Sequence, residues 1–187
     1  MVSLAQLWLP IVVSTVLVFF ASAVLHMMLK FWHRPDCMPF SNEDEVRAAI
    51  RKGSGAGPGI YLMPYCKPED MKKPEMAQKF VDGPVAFVLL RASGPMKMGA
   101  SLGTWVLFCL LVSLFVAYLA GVTLAPGSDH AAVFRVAAVA ALMGHAFGPL
   151  PNGIWWGHPW KSVFKHVIDG VIYALIVGAI FAYWWPQ

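Results

Sequence analysis

The chain has 187 residues, 58% of them hydrophobic and only 13% charged. Soluble domains carry about twice that charged fraction, so composition already excludes an ordinary soluble globule. The net charge of +4 is too small and too scattered to be a nucleic-acid footprint, and no nucleic-acid partner is expected.

The first apolar run is Leu7–Leu29. A helix needs roughly 20 apolar residues to cover the hydrocarbon core, and lipid offers backbone groups no water to bond. This run therefore predicts a transmembrane helix, which we place over residues 4–32. Ala21-Ser22-Ala23 resembles a signal-peptidase site, but the run lacks a preceding cation and continues past that site, so the helix is expected to be retained. At about 100° per residue, Thr15, Ser22 and His26 fall within about 40° of one another and make a weakly polar face.

Residues 33–98 are too long for a simple connector. Ten of the fourteen Lys and Arg lie between Arg34 and Lys97, with eight of the ten acids, so the segment is water-facing and of mixed charge. Ser41 as N-cap, acids at positions 43 to 45 and Gly53 as C-cap predict a helix at about 42–52. Gly53 to Gly59 reads as a flexible link, because it lacks the Lys-Ser/Thr ending of a phosphate loop and follows a helix. Ile60–Met63 is a short strand candidate. Pro74 opens a second short helix through Phe80, and Val85–Arg91, bounded by Gly-Pro pairs, is the better strand. Paired, the strands would make a small cytoplasmic α/β cap, too small to bury much core alone.

Three more spanning runs follow: Leu102–Leu124, Ala131–Leu150 and Val163–Trp185. The fold class expected is an all-α membrane protein: an antiparallel four-transmembrane-helix bundle over residues 4–32 and 99–187, with the cap between its first two helices. Cations crowd the first and third connections and are missing from the second, which places both termini outside and those two loops in the cytoplasm. Trp8 and the Trp184-Trp185 pair would anchor the outer interface, and Trp32, Trp105, Trp155, Trp156 and Trp160 the inner one. Phe147 to Trp160, with its prolines and tryptophans, predicts a rigid interfacial hairpin.

Small residues recur every four positions, as Gly170, Ala174, Gly178 and Ala182 in the last run, Ser113, Ala117 and Gly121 in the second, and Ala137 and Ala141 in the third. Such stripes let helix backbones approach closely inside lipid. Histidine placement continues them. His166 stands four residues before Gly170, and His145 four after Ala141, so both aim inward with His26 near the cytoplasmic boundary. Asp169 follows His166 by three residues, and an ionisable group inside the membrane is a functional candidate by default. His26, His145 and His166 are therefore candidate cofactor ligands, and His145, His166 and Asp169 candidate metal ligands, for haem or a transition metal. The plain alternatives are interfacial histidines bonded to water or headgroups, and an Asp169 paired with Lys165 or Lys161. Arg135, a turn inside the third span, should snorkel outward. Cys37, Cys66 and Cys109 form no disulfide framework.

Gly57 to Tyr65 (Gly-Pro-Gly-Ile-Tyr-Leu-Met-Pro-Tyr), Val116 to Gly121, Ile154 to Gly157 and Asp169 to Leu175 together resemble a group of small bacterial membrane proteins. The resemblance covers most of the chain. It implies a bacterial inner membrane and carries no activity. With no catalytic motif, the chain is expected to be a non-catalytic accessory or scaffold subunit that associates with other membrane proteins or with itself. A haem- or metal-binding electron-transfer protein and a small oligomeric transporter are the alternatives.

Overall fold

The computed structural model describes every residue except Gly55 and Ala56, which fall within the expected glycine-rich link. The chain is mostly helical and divides into two compact units, Met1–Cys37 with Lys97–Gln187, and Met38–Met96.

In the first unit, helix α1 (Trp8–Ala23) continues as a π-turn (Val24–Met28), stops at Leu29 and restarts as α2 (Lys30–His33) with a 3-10 turn at Arg34–Asp36. The long helices are α5 (Met98–Thr123), α6 (His130–Ala146) and α8 (Trp160–Tyr183), with a short α7 (Leu150–Trp155) between the last two. The expected Phe147–Trp160 hairpin thus contains a helical turn of its own. Four helices are long and apolar enough to cross a membrane: Trp8–Met28, Met98–Thr123, His130–Trp155 and Trp160–Tyr183. Their outer faces carry Phe20, Phe115 and Leu175, all exposed. Asp129 caps α6 by accepting from the Ala132 N–H at 2.9 Å, and Arg135 is exposed.

α1 packs on α5 and α8, and α6 packs on the same two helices. Val2 bonds Gly121, Ser14 bonds Ser113 and Trp105 bonds Ser22, so α1 and α5 run in opposite directions. The small-residue stripes form these seams. Gly170, Ala174, Gly178, Ala182, Ser113, Ala117, Gly121, Ala137 and Ala141 are all buried. A Cβ added at Gly178 would lie 2.8 Å from the Ala138 side chain, and one at Gly144 would lie 2.9 Å from Val112. Backbones this close gain the dispersion contacts that stand in for hydrophobic drive within lipid.

The second unit holds α3 (Glu43–Ser54), strands β1 (Gly59–Met63) and β2 (Ala86–Leu90), and α4 (Pro74–Asp82). The strands pair antiparallel, with Ile60 opposite Leu89 and Leu62 opposite Phe87. Two caps differ from expectation. Asn42 rather than Ser41 supplies the carbonyl that accepts the first bonds of α3, and Gly53 lies inside that helix rather than after it. The acids at 43 to 45 sit in the first turn, where they favour the positive end of the helix dipole.

Candidate metal centre

The break after α1 creates the site. Were the helix regular, His26 and His33 would be about 10 Å apart along its axis. The π-turn and the stop at Leu29 instead stack their rings, with centroids 4.2 Å apart. His166, on the first turns of α8, lies 4.7 Å from His33 and 6.0 Å from His26 between ring centroids, so the three imidazoles form a triangle. Asp169, one turn further along α8, supplies the fourth group. One ligand atom from each of His26, His33, His166 and Asp169 can be chosen so that all four lie within 4.8 Å of one another.

Asp169 is the hub. Its Oδ2 lies 2.6 Å from His33 Nε2, 3.8 Å from His26 Nε2 and 4.0 Å from His166 Nδ1. Its Oδ1 accepts from the Trp32 indole N–H at 2.7 Å, which fixes the plane of the carboxylate. The outer contacts assign the ring protons. His26 Nδ1 faces the Ser22 carbonyl at 3.1 Å and His33 Nδ1 faces Asp36 Oδ2 at 3.2 Å. Both oxygens only accept, so each Nδ1 carries a hydrogen and each Nε2 turns to the hub, where that of His33 donates to Asp169 Oδ2 and would give up its proton to a metal. Metal-ligating histidines are oriented in this way by an acceptor on the far nitrogen.

A strap holds this arrangement from outside. The Lys165 ammonium, almost wholly buried, donates to Asp36 Oδ1 at 2.5 Å and to the Trp32 carbonyl. Ser162 adds a bond to Asp36 Oδ2 at 3.3 Å. Lys165 thus pairs with Asp36, 129 residues away, and not with Asp169. The Lys165 hydrogen bond holds the Asp36 carboxyl below its ordinary range; burial opposes this shift and His33 adds to it. Since the folded value lies below the unfolded one, the strap contributes fully above the ordinary carboxylate range and fades as pH falls through the lowered value. We expect Asp36→Asn to flatten the acid limb of a thermal-stability profile; an unchanged limb would mean that the pair adds nothing to folding.

His145 is buried, as its stripe predicts, but stands away from this cluster. It meets the ring edges of Phe108 at 5.6 Å and Tyr173 at 5.5 Å. Both its ring nitrogens and the Tyr173 hydroxyl are buried with no hydrogen-bond partner among the described residues. A buried donor left unmade costs roughly 1–3 kcal/mol. Tyr173→Phe should therefore leave the melting temperature unchanged or raise it, and leave metal binding intact; a fall of several degrees would show that the hydroxyl has a partner, such as an internal water.

The structure thus brings together three of the four residues singled out from sequence, His26, His166 and Asp169, and adds His33. The signal for His33 was its seven-residue spacing from His26, which keeps the two on one face. Three imidazoles and one carboxylate suit a first-row divalent metal such as zinc, iron, cobalt or nickel; calcium and magnesium prefer all-oxygen sets, and copper(I) prefers sulfur. Donors around a tetrahedral ion stand roughly 3.3 Å apart, so the longest separations, up to 4.8 Å, close by up to about 1.5 Å and the His33–Asp169 pair opens as the proton between them leaves. Haem fits less well, because the macrocycle must lie between its axial imidazoles and these rings already stack on one another. Compared with known protein families, curated proteins and solved structures, the chain matches none.

Proposed function

We propose that this chain is a metal-holding protein of the bacterial inner membrane, with one first-row divalent ion bound by His26, His33, His166 and Asp169. Four apolar helices make it a multi-pass membrane protein, and the finer reading is an antiparallel four-helix bundle with both termini in the periplasm and the metal centre at the cytoplasmic boundary. The observation that carries the assignment is the convergence of four donor atoms within 4.8 Å, two of them on histidines whose far nitrogens are already held by acceptors. An ionisable residue buried in a membrane helix is expensive unless something charged answers it, and a divalent cation answers Asp169.

The test is metal analysis of the protein purified in mild detergent, followed by cobalt titration with optical detection. One ion per chain, lost in a His33→Ala/His166→Ala variant that stays folded, supports the assignment. A folded protein that binds no stoichiometric metal ends it.

A second reading, the accessory or scaffold subunit, is favoured by the hairpin of the second unit. Ile60, Leu62 and Leu89 stand exposed on one face of the β1–β2 pair, and such apolar faces commonly mark contact surfaces. Stable co-purification with other membrane polypeptides would support it, and the two readings are compatible.

A further inference from the structure

We infer that the metal centre takes a phosphate group as its exogenous ligand; this rests on the metal-binding reading above. Three observations lead there. The first is coordination. The donors do not enclose the site evenly: the Asp169 side chain is 2% exposed and that of His33 12%, whereas those of His26 and His166 are 40% and 42% exposed. Four protein ligands gathered from the buried side leave one side of the ion open, and first-row divalent ions accept a fifth or sixth ligand there. Four protein ligands close a tetrahedral zinc site, so the open position belongs to the ions that take five or six ligands, iron, cobalt and nickel.

The second observation is charge. The first unit contains three acids, Asp36, Asp129 and Asp169. Asp129 caps α6 beyond the far end of α5. Asp36 is bonded to Lys165. Asp169 alone is left to balance a divalent ion, so the bound site would carry a surplus positive charge in a poorly screened setting.

The third is the set of cations that neighbour the donors in sequence. Lys30 follows His26 by four residues, Arg34 adjoins His33, and Lys161 opens the first turn of α8, one turn before the His166 turn; all three are exposed. None has an acidic partner among the described residues. A metal with an open position, two lysines and an arginine within five residues of its donors, and one anionic ligand favours a multiply charged oxyanion. Phosphate is the one whose oxygens bridge a cation and accept charge-assisted bonds from a guanidinium at once. Its source is either a lipid headgroup, which lies at this depth of a bilayer, or a soluble phosphate compound.

The experiment uses the full chain in nanodiscs of zwitterionic lipid, loaded with cobalt and then titrated with inorganic phosphate. Cobalt bands that appear at one ion per chain and then shift saturably with phosphate are the expected result. A Lys30→Gln/Arg34→Gln/Lys161→Gln variant should give the same cobalt spectrum before phosphate is added, with its phosphate Kd raised about tenfold or more. A second arm replaces soluble phosphate with phosphatidic acid in the disc: a shift in that arm alone assigns the headgroup, and a shift with inorganic phosphate alone assigns the soluble compound. Cobalt bound with bands indifferent to both overturns this inference and leaves the metal centre standing. No cobalt at all overturns both.

Discussion

Replacing Asp169 with alanine should abolish metal binding and lower stability by about 3–5 kcal/mol, the scale for breaking a buried, fully bonded carboxylate. The size follows from how many groups converge on it. Trp32 donates to one oxygen and His33 to the other, both within 2.7 Å, and the residue is only 2% exposed. Removing the carboxylate strands the Trp32 and His33 donors and takes away the one anionic ligand of the set. Asp169→Asn separates the two effects. Its amide oxygen can keep the Trp32 bond, so most of the fold should survive, while the loss of an anionic ligand should weaken cobalt binding by at least about 100-fold. Thermal unfolding and cobalt titration of both variants make the check. Wild-type cobalt affinity in the asparagine variant would remove Asp169 from the ligand set, and an alanine variant as stable as wild type would mean that the cluster is solvated rather than packed.

The parts of this fold that obey a local period were legible before any coordinates. The four spans, the small-residue seams and the strands near Ile60–Met63 and Ala86–Leu90 follow from composition and spacing alone. His166 and Asp169 were legible as a pair because three residues on a helix fix a shared face. What was not legible depends on breaks and on distant partners. Nothing in the apolar pattern around Leu29 announces a π-turn, so His33 read as the start of a loop rather than as a ligand. Lys165 had an acid four residues away and chose one 129 residues away, which no helical spacing encodes. His145 shows the limit of depth estimates made by counting from loop ends. Its stripe does face inward, but the contact it makes is with Tyr173, one turn of α8 (about 6 Å) beyond Asp169, and that single turn separates it from the cluster.

The α6–α8 seam gives the second large effect, at Gly170. A Cβ added there would lie 2.5 Å from the Ala146 Cα and 2.7 Å from its N and Cβ. Those are backbone positions that no rotamer change can move. At Gly178 the same atom would meet one fixed position, the Ala138 Cβ at 2.8 Å, and the Phe134 ring at 3.1 Å, and the ring can give. Gly170→Ala must therefore push α8 off α6, at the roughly 1–3 kcal/mol of an overpacked core or more, which for a chain of this length lowers the melting temperature by roughly 2–12 °C. The displacement also has a direction that matters for the site. Asp169 adjoins Gly170 and His166 lies one turn away on the same helix, so a shifted α8 moves two of the four donors relative to His26 and His33 on the other side of the cluster. Cobalt affinity should fall along with stability, although the substituted atom touches no ligand. Gly178→Ala should cost less on both counts. Gly103→Ala, where nothing lies within 4 Å, should leave both unchanged or raise stability slightly, since alanine favours a helix over glycine. If Gly170→Ala melts like wild type, the two helices are not packed at backbone contact and the seam must be looser than drawn. If it melts lower but holds cobalt as tightly, the metal centre is built on α1 and the start of α8 with enough slack to ignore the seam.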